Sequence, residues 1–168
     1  YKKGLIDLVI SVVAVLTYMN FNSTTICFGA DEIVIPKALF LILGVILIWV
    51  SVNVTNCTDG VDGLCASLCS VTLLAFGVIF APVLQKYAMA NFLFLSVLFA
   101  YLYFNSSPSS MLMGDAGSRA LGFYIAVIAL KSTHPFIYLL LAAVMIVDGG
   151  IGLVKIALKR FLKISILK

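Results

Sequence analysis

Two runs of this chain leave it few folds to choose from. Residues 33–52 and 64–84 hold one charged side chain between them, Lys37. A bilayer's hydrocarbon core is ~30 Å thick, and a helix of roughly 20 apolar residues crosses it. Four further apolar segments accompany these two, giving six at about 5–21, 33–52, 62–84, 88–104, 116–130 and 135–158. None alternates in polarity, as the strands of a membrane barrel must. Of the whole chain, 63% is hydrophobic and 11% charged, where soluble domains run nearer half and a quarter. The expected fold is all-α: a polytopic transmembrane helix bundle of about six spans, with 1–168 as a single transmembrane domain.

Six crossings put the stretches 53–63 and 105–118 on one side, together with both ends of the chain. Lys2, Lys3, Arg119, Lys155, Lys159, Arg160, Lys163 and Lys168 fall on that side, and Lys37, Lys86 and Lys131 on the other. Short loops rich in lysine and arginine stay in the cytoplasm, so both polar stretches are expected there. The opposite face receives an irregular excursion at 22–32 and turns at 82–87 and 131–134. A lipid bilayer is the first partner this implies.

Other classes are excluded. The net charge is +4, but no basic run interleaved with aromatics offers a nucleic-acid surface. Cys27, Cys57, Cys65 and Cys69 form no disulfide framework and lack zinc-site spacing. Cys65 and Cys69, one helical turn apart, read as small residues packed between helices.

The chemistry concentrates in the two polar stretches. Asn53-Val-Thr-Asn-Cys-Thr-Asp-Gly-Val-Asp-Gly63 puts two asparagines, two threonines, two aspartates and two glycines between apolar runs. Asn105-Ser-Ser-Pro-Ser-Ser-Met-Leu-Met-Gly-Asp-Ala-Gly-Ser118 is its counterpart. A carboxylate costs ~2.5–3.5 kcal/mol at a bilayer centre but is favoured at a helix start. Helix capping alone would account for Asp62 and Asp115. A cation and phosphate site accounts for more residues at once. Mg2+ takes carboxylate oxygens plus substrate phosphates, which Asp59, Asp62 and Asp115 could share. Gly60, Gly63, Gly114 and Gly117 would let backbone approach a ligand, and amides opening the third and fifth segments could hold phosphate oxygens. Asn53, Asn56 and Thr58 add neutral donors and acceptors. No Gly-Lys-Ser/Thr follows Gly114, so this is not a Walker P-loop.

The pattern Asn53-x-x-Asn-x-x-Asp-Gly-x-Asp-Gly-Leu64, followed by Met113-Gly-Asp-x-Gly-Ser118 at the head of the next-but-one helix, resembles the polyprenyl-phosphate N-acetylhexosamine-1-phosphate transferase superfamily. Within it the pattern is most similar to the transferases that make the first lipid intermediate of peptidoglycan. The resemblance covers about 33–130. It implies UDP-N-acetylmuramoyl-pentapeptide as donor, undecaprenyl phosphate as acceptor, UMP as leaving product and Mg2+ as cofactor. The setting it implies is a bacterial inner (plasma) membrane with a cytoplasmic active face. Asp115 matches the family's metal-binding aspartate, and Asn56, Asp59 and Asp62 match polar positions lining the catalytic cleft. Gly60, Val61 and Asp62 match the uridine contact, Asn105 a nucleobase-contacting asparagine, and Asn53 belongs to the same substrate-binding motif. Leu112 stands where the family commonly has a phenylalanine stacked on uracil. The family's adjacent aspartate pair, substrate lysine and histidine-rich loop would fall outside 1–168. The expectation is therefore the middle portion of a longer transferase, inactive alone.

Alternatives remain open at this stage. The donor could be another UDP-N-acetylhexosamine. In a different class, Asp148-Gly-Gly150, expected near mid-membrane in a helix broken by the glycine pair, suggests an ion-coupled transporter. Exposed spans are compatible with a homodimer. Lys155, Lys159, Arg160 and Lys163 read as a headgroup anchor. His134 reads as a solvated loop residue, and Asp7 as the partner of Lys3 one turn earlier.

Overall fold

The computed structural model describes residues 2–28, 31–82 and 85–161. In order, the elements are α1 (Lys2–Phe21), β1 (Thr25–Phe28), β2 (Asp31–Val34), α2 (Lys37–Thr58), α3 (Leu64–Phe80), α4 (Gln85–Asn105), α5 (Gly114–Lys131), α6 (Pro135–Leu141) and α7 (Ala143–Phe161). All six expected apolar segments are helical, and the chain is a multi-pass membrane bundle. Three helices, α1, α2 and α4, are long and apolar enough to cross a membrane, and α6 with α7 makes a fourth if counted as one broken span. The apolar α3 has 17 residues, while α5 carries Asp115, Arg119 and Lys131.

Helix α2 is the centre, packed against α1, α5 and α7. Lipid tails are as apolar as leucine, so membrane helices associate through small residues and close backbone approach. Gly122 of α5 lies so near that an added Cβ would sit 2.7 Å from the Ser51 carbonyl oxygen and 2.8 Å from Thr55 Oγ1. Gly149 of α7 is tighter, 2.3 Å from the Val54 carbonyl oxygen by the same measure. Ser51 Oγ donates to the Gly122 carbonyl at 2.7 Å, a hydrogen bond between the two helices.

Several expectations need correction. The polar stretch at 53–63 is only partly a loop, because α2 continues to Thr58. Its threonines are satisfied within the helix: Thr55 Oγ1 donates to the Ser51 carbonyl at 2.8 Å and Thr58 Oγ1 to that of Val54 at 3.1 Å. Accordingly α3 begins at Leu64, not 62, and its expected end at 84 lies outside the described residues. The excursion at 22–32 runs into an antiparallel hairpin, with Ile26 opposite Ile33 and Cys27 opposite Glu32, and its second strand takes Ile33 and Val34, so α2 begins at Lys37 and not at 33.

The sixth segment breaks at Ala142, where α6 and α7 meet at 78°, and not at Gly149-Gly150, which lie inside α7. Gly149 serves the crossing on α2 instead. Because that crossing falls at Val54–Thr58, the exposed Asp148 sits level with the last turns of α2 and not near mid-membrane. His134 is half-buried, its ring 5.6 Å from that of Phe80, and not a freely solvated loop residue. The side chains of Lys159, Arg160, Lys163 and Lys168 lie outside those described.

The connections gather at the two ends of the bundle as six crossings require. The Cys27 amide donates to the Thr133 carbonyl at 2.8 Å. Lys131 Nζ donates to Asn22 Oδ1 at 2.7 Å and lies over the rings of Tyr18 and Tyr87. Hairpin, α5–α6 turn and the start of α4 thus share one end, and both polar stretches share the other.

Gly149→Ala is expected to lower the thermal unfolding midpoint of the solubilised protein, at a cost on the order of 1–3 kcal/mol for an overpacked contact. Gly150→Ala, whose added Cβ meets nothing within 4 Å, is expected not to lower it. Equal midpoints for the two variants would contradict the crossing.

Candidate functional site

The site is assembled where the last turns of α2 meet the first turn of α5. Asn56, in the last turn of α2, faces α5. Its Nδ2 donates to Asp115 Oδ1 at 3.2 Å and to Ser118 Oγ at 3.0 Å, while its Oδ1 accepts from Arg119 Nη2 at 3.3 Å. Asp115 lies in the first turn of α5, where the helix dipole favours a negative group. Its Oδ2 takes the ammonium of Lys3. The hydrogen bond from Lys3, then that from Asn56, hold the Asp115 carboxyl below the usual carboxylate range.

Asp59 caps the end of α2. Partial burial pushes its carboxyl up, the Gly114 amide opposes this, and the neighbouring Asp115 carboxylate pushes it up further. Two carboxylates from stretches distant in sequence therefore stand close enough to feel one another. Among the described residues no three His, Cys, Asp or Glu side chains cluster as a metal cage. Two carboxylates on an accessible rim could contribute oxygens to a hard divalent cation only if a ligand completed its shell.

A second cluster latches the two connecting loops. Asn105 is buried. Its Oδ1 accepts from the Gly63 amide at 2.9 Å, and its Nδ2 donates to the Met111 carbonyl at 2.8 Å and to Ser109 Oγ at 3.1 Å. Asp62 Oδ2 accepts from the Ser109 amide at 3.2 Å. The latch needs glycine at two points, Gly63 with φ +74° and Gly114 with φ +66°, a region costly for other residues.

The structure thus brings Asn56, Asp59 and Asp115 together, with Asp62 and Asn105 in the adjoining latch. Gly60, Val61 and Leu112 are exposed at the rim. Asn53 is turned back on its own helix, donating to the Trp49 carbonyl at 2.8 Å. Of the amides opening α3, that of Leu64 already bonds the Val61 carbonyl. Asp7 does not pair with Lys3. Packing of α1 buries Asp7 against Arg119 and leaves Lys3 to reach Asp115.

Known proteins carry similar sequences. Residues 1–133 match the profile of Glycosyl transferase family 4. The chain belongs to that family. Relatives named phospho-N-acetylmuramoyl-pentapeptide-transferase include one from Treponema pallidum, 38% identical over 99% of this chain and 52% of that protein. One from Listeria monocytogenes is 32% identical over 88% of this chain and 46% of that protein. A third, from Dictyoglomus thermophilum, is 31% identical over 74% and 40% respectively. The chain spans about half the length of the curated relatives it matches.

In this family 4 chain, sequence reasoning gave Lys3, Asp7 and Arg119 no role in the site, and took Ser109 and Ser118 only as members of the second polar stretch. A signal existed for two of them. An acid inside an apolar helix demands a partner, and the basic residue on α5 nearest the same end is Arg119.

The two carboxylates have opposite pH signatures. The lowered pKa of Asp115 favours the fold above the ordinary carboxylate range, and that contribution is lost as pH falls through the lowered value. The raised pKa of Asp59 favours the fold at low pH, and that contribution is lost as pH rises from the unfolded value through the raised one. In a 13C titration of labelled aspartates, Asp59 is expected to protonate before Asp115 as pH falls. Asp115→Asn is expected to lower the Asp59 value, and an unmoved Asp59 would show that the two are not neighbours.

Proposed function

We propose that the protein carrying this chain is a Mg2+-dependent phospho-sugar transferase. It moves phospho-N-acetylmuramoyl-pentapeptide from its UDP-linked donor to undecaprenyl phosphate and releases UMP. The observation that carries this reading is the hydrogen bond that joins the two polar stretches, from Asn56 Nδ2, three residues before Asp59, to Asp115 Oδ1. Family membership and the relatives' printed names support the reaction class.

The chemistry asks more for positioning and charge neutralisation than for covalent help from the protein. Asp115 and Asp59 would hold the Mg2+, with Asn56 keeping Asp115 in orientation. When bound, the ion neutralises the donor diphosphate and stabilises the departing UMP. Gly60 and the exposed Val61 and Leu112 border the place where a uridine would lie, and the Asp62–Asn105 latch keeps that border in shape. The acceptor phosphate enters from the membrane side. UDP-linked donors are cytoplasmic, which agrees with the charge bias in placing this end of the bundle at the cytoplasmic face of a bacterial plasma membrane. Residues 1–168 supply only part of the charge that two phosphates need, so turnover belongs to the full-length protein. The exposed apolar faces of α1 and α4 are open to lipid or to a second copy.

Another UDP-N-acetylhexosamine would suit the same carboxylates. The transporter reading loses its main support, since Asp148 lies neither at the helix break nor at mid-membrane.

Membranes bearing the full-length protein are expected to release UMP from UDP-N-acetylmuramoyl-pentapeptide only with undecaprenyl phosphate and Mg2+ present. Asp115→Asn is expected to cut that release by ~10²-fold or more, the scale of losing one electrostatic contact to the reacting group, in a protein that still folds. Full turnover in this variant at saturating Mg2+ would remove Asp115 from the metal role, and ion flux without UMP would favour transport.

A further inference from the structure

An ion pair stands behind the candidate site. Arg119 Nη1 of α5 bonds Asp7 Oδ2 of α1, and both side chains are largely out of water. Such pairs are poor devices for stability alone, because desolvation offsets their attraction. Arg119 follows Asp115 by four residues on one helix, a spacing at which opposite charges pair directly. Yet the guanidinium is turned from Asp115, with Nη1 on Asp7 and Nη2 on Asn56 Oδ1 at 3.3 Å. An open groove of about 410 Å³, lined in part by Ile10, Phe94, Phe123 and Tyr124, adjoins the pair.

We infer that Asp7 is a positioning residue: it holds the Arg119 guanidinium off Asp115, leaving that carboxylate free for a divalent cation. Through Arg119 it also anchors Asn56, whose amide group orients Asp115. The contrast with Lys3 is instructive. Lys3 is exposed and on a long flexible stem, so an arriving cation displaces it into water. A guanidinium released from Asp7 is fixed to the same helix as Asp115, one turn away, and so stays within reach of that carboxylate. The inference rests on the reading of Asp115 as a metal-binding residue.

The test uses the full-length protein in detergent, with Mn2+ as a spectroscopic stand-in for a hard divalent cation. Binding is read by electron paramagnetic resonance with the UDP-linked donor present to complete the ion's shell, alongside the unfolding midpoint and UMP release. Asp7→Asn is expected to weaken Mn2+ binding roughly tenfold, the order of effect of one cation placed beside a carboxylate. Adding Arg119→Met to Asp7→Asn is expected to restore binding to within about threefold of the wild type by the same reasoning. A purely structural role for the pair would leave the double variant as weak as the single one or weaker, and that result overturns the proposal. So does unchanged Mn2+ binding by Asp7→Asn, which leaves the metal reading standing. Wild-type protein that binds no Mn2+ overturns both. Should Asp7→Asn not fold, the reversed pair Asp7→Arg with Arg119→Glu decides. It keeps the pairing, puts a carboxylate near Asp115 and is expected to tighten Mn2+, whereas equal or weaker binding overturns the proposal.

Discussion

Inside a bilayer, helices gain little by hiding apolar surface from one another, so everything here depends on how closely backbones approach α2. The contact of Gly122 with Ser51 and Thr55 fixes the register of α5 against α2. The two helices run antiparallel, and about one turn nearer the site end the same register brings Asn56 opposite Ser118 and Asp115. A slip of one turn would move the partners by ~5.4 Å and dissolve those hydrogen bonds. The polar site is in this sense a consequence of one glycine contact within the bundle. The crossing of Gly149 does the same for α7, which the break at Ala142 sends off at an angle from α6.

Charge is distributed with the same economy. Asp115 gains from the start of α5, from Lys3 and from Asn56, and its carboxyl is held low. Asp59 has less help and a like-charged neighbour, so its carboxyl is held high. Asp7 and Arg119 occupy the layer behind, where a buried charge without a partner would be costly.

The fold was largely legible in the sequence, because apolar runs of spanning length are a signal that local chemistry cannot disguise. The shared end of the two polar stretches followed from counting crossings, and the Lys131–Asn22 and Asp62–Ser109 contacts bear it out. Boundaries were less legible. Thr55, Asn56 and Thr58 read as loop residues by type, yet their side chains bond within the bundle and let α2 run on. The break at Ala142 has no proline or glycine to announce it, while Gly149-Gly150 announced one that packing against α2 overrides. At the site, the motif residues Asn56, Asp59 and Asp115 were legible and do converge. The roles of Lys3, Asp7 and Arg119 were not, because a pairing between helices far apart in sequence leaves no spacing pattern to read. Helical spacing alone suggested Asp7 with Lys3, and tertiary packing chose otherwise.

The central claim is that the stretches 53–63 and 105–118 meet at one end of the bundle. Spin labels at the exposed positions 61 and 112 of the full-length protein, reconstituted in lipid and read by dipolar spectroscopy, test it most directly. The account expects a separation well below the ~30 Å thickness of the hydrocarbon core. A distance at or beyond that thickness would put the two stretches on opposite faces and contradict it.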